Sequence, residues 1–106
     1  MPYETGLSYD DVLAVPQRSP VDSRDEVDVT TKLADGLELS VPIVTAAMDT
    51  VTEAEMARAI GNHGGLGVVH RFLPIEEQAR MVRSVTDDGV PATGAVGIAE
   101  PHLDRA

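Results

Sequence analysis

The sequence predicts a parallel α/β fold, and three observations carry that expectation. Short apolar runs, "PIVTAA" at 42–47, "LGVVH" at 66–70 and "ATGAVGI" at 92–98, recur along the second half of the chain. The segments between them have helical periodicity, and glycine clusters punctuate the joins. Strands alternating with helices through short connections favour a parallel sheet over a meander.

Each element has its own justification. "PIVTAA" is continuous and apolar, as a strand buried on both faces should be. Thr50 is placed to cap the following helix, with Glu53 three residues on in the capping-box position. Met56, Ala59 and Ile60 give that helix one apolar face, and "GNHGG" at 61–65 stops it through a left-handed glycine. After the "LGVVH" strand, Pro74 suits a first helical turn. Glu76 and Glu77 complement the dipole there, and Arg80 and Arg83 lie in the C-terminal half. Ile75, Ala79, Met81 and Val82 form its expected apolar face, and "DDG" at 87–89 ends it. "EPHLDRA" at 100–106 opens a third helix.

Residues 1–40 differ, which divides the chain into a leader, 1–40, and the first β/α units, 41–106. The leader is irregular and carries turn formers such as "VPQRSPVDSRD". "EVDVT" at 26–30 and "LELSV" at 37–41 alternate, and they predict a short β ribbon joined near Asp35-Gly36.

Composition excludes several functions. Eighteen Asp and Glu oppose eight basic residues, with a net charge of −10, and Lys32 is the sole lysine. The carboxylates are dispersed, which argues against an acidic tail and suits a halophilic protein whose self-repulsion is screened by salt. No basic footprint for nucleic acid is present. The absence of cysteine removes disulfides, thiolate metal sites and a thiol nucleophile. No secretory signal and no membrane-length apolar run occur, so a cytoplasmic location is expected.

Polar residues gather where the apolar runs end: Met48-Asp49-Thr50 after the first and His70-Arg71 after the second. Ligands collect at the C-terminal ends of parallel strands, so both groups are placed to line a site. Asp49 can orient a polar ligand group or bond to backbone at the helix start. No carboxylate or second histidine stands at ligand spacing from His70, so no transition-metal site is expected. Asp10 and Asp11, adjacent in an extended leader, should point apart and position the leader, with Asp11 the one able to reach the site. "GGLGVVH" lacks the order of a dinucleotide fingerprint, because its glycines follow a helix and precede a strand.

Five pieces in order resemble the IMP dehydrogenase/GMP reductase family: "GLSYDDVLAVPQRS" (6–19), "SRDEVDVTTKL" (23–33), "VPIVTAAMDTVTEAEMA" (41–57), "GGLGVVHR" (64–71) and "IEEQARMV" (75–82). The resemblance implies the amino-terminal portion of a (β/α)8 TIM barrel, about three of its eight strand–helix units, preceded by the leader with its ribbon. It implies a purine-nucleotide oxidoreductase. "AAMDTVTE" and "IEEQ" point to the dehydrogenase branch, which oxidises IMP to XMP with NAD through a cysteine adduct and uses a monovalent cation such as potassium. The alternative branch reduces GMP with NADPH and releases ammonia. A third reading, from another class, is a non-catalytic truncated barrel acting only through association.

By the same resemblance, Ala46 and Met48 share a strand face beside the bound purine nucleotide, IMP or GMP, with Asp49 next to them. His70 and Arg71 approach the dinucleotide, NAD or NADP. Family members assemble as tetramers, so self-association is expected here. "RMVRSVTDDGVPATGAVGIAE" at 80–100 runs directly into the third strand, without the paired CBS regulatory domains that typical dehydrogenases insert after the second barrel helix. The family cysteine is missing from the sequence, so the chain alone is expected to be inactive, to hold no cofactor tightly and to contribute no catalytic residue.

Overall fold

The computed structural model describes residues 3–106, with the side chains of Pro101 and His102 outside the description. The elements run β1 (Thr31–Ala34), β2 (Leu37–Leu39), α1 (Ala54–Asn62), β3 (Gly67–Val69), α2 (Ile75–Thr86) and β4 (Ala92–Gly94). Short 3-10 turns occupy Tyr9–Asp11, Arg24–Glu26 and Glu100–Arg105. β1 and β2 form an antiparallel hairpin, and β3 pairs with β4 in parallel, Val68 opposite Thr93. This is an unclosed segment of a β/α barrel.

The ribbon forms, but "EVDVT" is not its first strand. The tight turn at Asp35-Gly36 fixes the register, so only the residues flanking it can pair, Thr31 with Leu39 and Lys32 with Glu38. Glu26 instead closes a 3-10 turn, and Asp28 accepts the Thr30 N–H at 2.9 Å.

"PIVTAA" also departs from expectation. Ile43 and Thr45 exchange hydrogen bonds with Leu66, and Val44 bridges Leu66 in parallel, but the ladder goes no further. Pro42, Ile43, Val44 and Ala46 are exposed. Continuous apolarity reports a strand meant to be covered on both faces, and nothing in residues 3–106 covers this one.

The core lies between the helices and the β3–β4 pair. Ala57, Val69, Val85 and Val90 are buried together, with Ala54, Leu73, Met81, Val82 and Ala92 packed against them. Helix α1 meets β3 at closest approach through Gly67, where a Cβ would stand 2.3 Å from the Ala57 Cα. Gly64, at φ +91°, turns the chain out of α1, as the glycine cluster predicts.

The buried faces are only partly those the sequence suggests: Met81 and Val82 of α2 pack on the core as expected, but other positions differ. In α1 the buried residue is Ala57, while Met56 and Ala59 are exposed. In α2 they are Gln78 and Val85, while Ile75 and Ala79 line an open groove of about 410 Å³ against β4. The last segment winds as a 3-10 turn and not as the third α-helix expected.

Candidate functional site

The C-terminal ends of the strand segments carry the loops 46–53, 70–74 and 95–99. Thr52 organises the first of these. Its N–H donates to the Met48 carbonyl at 3.0 Å and its Oγ1 donates to the Ala46 carbonyl at 2.7 Å. Its own carbonyl accepts the His70 N–H at 3.3 Å. The side chain is fully buried, and it pins the Met48–Val51 turn to the end of β3.

That geometry corrects the helix-cap expectation. Glu53, in extended backbone conformation, is the residue preceding α1, and no side chain caps the helix. Thr50 lies in the exposed turn. The Glu53 carboxylate has a different partner, His70 Nε2 at 2.9 Å. The turn after Asp49 moves the N-cap from Thr50 to Glu53, three residues on, and the capping-box spacing loses its meaning.

Ala46, Met48 and Asp49 fall together on this turn, all exposed. The Met48 N–H donates to the Ala46 carbonyl at 2.9 Å, a three-residue turn. Strand alternation therefore does not relate Ala46 to Met48, and the shared strand face expected of them is absent.

His70 is buried, at 2 % exposure, and both ring nitrogens are engaged. Nδ1 accepts the Phe72 N–H at 3.2 Å, so Nε2 carries the hydrogen that it donates to Glu53. The ring ties the loop after β3 to the start of α1. Arg71, half-buried, holds its guanidinium 5.9 Å from the Phe72 ring centroid. Met48-Asp49 and His70-Arg71 are thus joined through Thr52 and Glu53.

Asp10 and Asp11 stay in the leader. Asp11 accepts from the Ser8 N–H at 2.8 Å and the Ser8 hydroxyl at 3.0 Å, and those bonds hold its carboxyl below the usual range. No cluster of three or more His, Cys, Asp or Glu suited to a metal occurs among the described residues.

Gln78 escaped sequence reasoning. It is 4 % exposed, and its amide nitrogen lies 3.2 Å from the Val69 carbonyl, 3.1 Å from that of His70 and 2.9 Å from that of Ala95. Two hydrogens serve three acceptors, so one is shared. Its Oε1 accepts from Arg105 at 3.1 Å, and Arg105 also donates to the Leu73 carbonyl. A Cβ at Gly94 would press to 3.0 Å of that amide nitrogen. The available signal was a lone amide at 78 in a stripe continued by 81, 82 and 85.

Residues 6–97 match the IMP dehydrogenase / GMP reductase domain family. The chain belongs to that family. Among similar IMP dehydrogenase/GMP reductase proteins is inosine-5'-monophosphate dehydrogenase of Nitrosopumilus maritimus, 48 % identical over 89 residues, which are 84 % of this chain and 19 % of that protein. GMP reductase of Leishmania donovani is 52 % identical over 80 residues, 76 % of this chain and 16 % of its own. A crystal structure of GMP reductase from Trypanosoma brucei in complex with guanosine 5'-triphosphate superposes with a TM-score of 0.70 at 54 % identity. It covers 76 % of this chain and 19 % of that one. A second structure of that reductase, with C318A, gives 0.73 at 52 % identity over 81 % of this chain and 20 % of its own. The chain therefore spans about a fifth or less of these relatives. Between α2 and β4 only residues 87–91 intervene, so the CBS insertion is absent from this connection. No helix among the described residues is long and apolar enough to cross a membrane.

Proposed function

We propose that this chain forms the leader and first β/α units of a purine-nucleotide oxidoreductase acting in the reductase direction, reducing GMP with NADPH and releasing ammonia. The observation that carries the direction is the superposition on two solved GMP reductase structures at 52–54 % identity. The dehydrogenase direction, IMP and NAD to XMP, is the second reading. It draws on inosine-5'-monophosphate dehydrogenases such as that of Halalkalibacterium halodurans, 55 % identical over 80 residues.

In either direction the turn Ala46–Asp49 is assigned to the nucleotide, and Arg71 to a phosphate of the dinucleotide. A guanidinium suits a phosphate through paired charge-assisted hydrogen bonds. His70, with both nitrogens committed, positions this loop and carries no proton to the substrate. A monovalent cation such as potassium belongs to the complete enzyme in this proposal. The sequence contains no cysteine, so any covalent adduct at the purine uses a residue from outside it. Assembly with further copies, as a tetramer, belongs to the same proposal.

The test is to isolate from the source cells the species that contains these peptides, weigh it intact and assay it with both substrate pairs. GMP-dependent NADPH oxidation with ammonia release supports the reductase, and IMP-dependent NAD reduction supports the dehydrogenase. A species no heavier than this chain and silent in both assays would leave the non-catalytic fragment standing.

A further inference from the structure

The loops after β3 and β4 are tied to one another by two side chains that belong to neither. Gln78, buried on α2, carries its amide nitrogen to the Val69 and His70 carbonyls, where the 70–74 loop begins. The same nitrogen reaches the Ala95 carbonyl, where the 95–99 loop begins. Its Oε1 accepts from Arg105 Nη1 at 3.1 Å, across 27 residues of chain. The other terminal nitrogen, Nη2, donates to the Leu73 carbonyl, near the end of the 70–74 loop. Gln78 thus holds the start of that loop and Arg105 its end, and one hydrogen bond joins the two ties.

The arrangement has a direction. Three carbonyls can only accept, so the amide must turn its nitrogen to them, and Oε1 then needs a donor from elsewhere. Among the described residues Arg105 is the side chain that supplies it. A guanidinium presents its N–H groups as a rigid fork, so one group serves Oε1 and the Leu73 carbonyl together. Arg105 makes no ion pair among the described residues, and its charge faces these neutral acceptors instead. We propose that Gln78 and Arg105 act as a positioning pair, which sets the 70–74 loop, and Arg71 within it, against the 95–99 loop. The Glu100–Arg105 turn thereby governs a loop that precedes it by a whole helix. The pair deepens the proposed function and rests on it only for what the loop delivers, the Arg71 guanidinium.

Amide hydrogen exchange on the 106-residue chain tests the pair without any substrate. The reporters are the His70 and Phe72 N–H groups, which bond to the Thr52 carbonyl and to His70 Nδ1. The controls are the Val85 amide in α2 and the Ala57 amide, which donates to the Glu53 carbonyl. Arg105→Met should speed exchange at both reporters by roughly tenfold, as loss of a hydrogen bond from a charged donor does, and leave the controls unchanged. Measured against those controls, Arg105→Met and Gln78→Leu together should give clearly less than the sum of their separate effects, because the ties share a bond. Arg105→Lys keeps the charge, loses the fork and should fall between Arg105 and Met. Unchanged reporters, equal acceleration at the controls or full additivity would each overturn the pair.

In the native species, Arg105→Met should raise the KM for the dinucleotide by roughly tenfold and leave kcat unchanged, since neither residue meets a reacting atom. A fall in kcat at constant KM would mean a merely structural role and end the proposal. Coupled exchange in a protein without turnover on either substrate pair would sink the proposed function and spare the pair. Turnover beside uncoupled exchange would do the reverse.

Discussion

The leader and the β/α unit are built from the same chain in opposite ways. Residues 3–36 are exposed throughout, including Leu7, Tyr9, Leu13 and Val15. Outside the β1–β2 hairpin their hydrogen bonds close over two or three residues, as from Ser8 to Asp11 or from Thr30 to Asp28. In the β/α unit the bonds bridge distant positions: Arg58 to Asp88, Gln78 to Ala95, His70 to Glu53. The radius of gyration, 18.0 Å, exceeds the about 13 Å of a compact domain of this length. Local bonds shape a segment, whereas only long-range burial gives it a core. Leu39 at the end of the ribbon is buried, but the apolar side chains of residues 3–36 find no surface among the described residues to bury on.

Glycine substitutions should break that contrast most sharply. Gly67→Ala drives a methyl into the Ala57 backbone, where neither helix nor strand can give way. It should cost about 3 kcal/mol, read as a fall in the urea midpoint. Gly6→Ala meets nothing within 4 Å and should change stability by less than about 0.5 kcal/mol. Equal effects would mean that the two regions share one cooperative core.

Next in size is Gln78→Leu, which takes the amide from the His70 and Ala95 carbonyls, while the Val69 carbonyl keeps the Ala95 N–H at 2.8 Å. A loss of about 2 kcal/mol is expected, together with faster hydrogen exchange in the 70–74 loop. An unchanged midpoint would show that water replaces the amide freely.

The first loop allows a finer comparison of two threonines. Thr52→Ala removes the buried bond to Ala46 and should cost about 1 kcal/mol. Thr50→Ala should be nearly silent, although loss of a true helix cap costs about 1 kcal/mol. A reversed order would restore the capping box.

The smallest effect belongs to the leader. Asp11 is held below its ordinary pKa by the Ser8 backbone and then its hydroxyl, and Asp28 by the Thr30 side chain and then its backbone. Both folded values are depressed, so their small contribution is present above the unfolded carboxylate pKa, about 4. It is lost as pH falls through the folded values. Carboxyl chemical shifts followed below pH 5 should show both aspartates titrating below the ordinary carboxylate value of about 4. Removing Ser8 should return Asp11 alone to the ordinary range.

Much of the architecture was legible because it depends on local order. Alternating apolar and helical segments gave the α/β pattern, Pro74 and the glycine clusters marked the helix boundaries, and Asp35-Gly36 located the hairpin. The five motif pieces pointed to the family that residues 6–97 match. The site was less legible. Sequence position grouped Met48-Asp49 and His70-Arg71 but said nothing of Thr52, which joins them, or of Arg105, which reaches Leu73 across the fold.

By itself, then, the sequence determined the alternation of strands with the two α-helices, the acidic and cysteine-free chemistry, and the loops at the strand ends. Tertiary structure alone decided that Gln78 and not Ala79 turns inward, that Glu53 pairs with His70 and does not cap a helix, and that "PIVTAA" pairs only at Val44. Apolar periodicity reports which side chains favour burial. Which of them is buried depends on what lies across the gap, and here that is the close contact of Gly67 with Ala57 and the three carbonyls awaiting one amide.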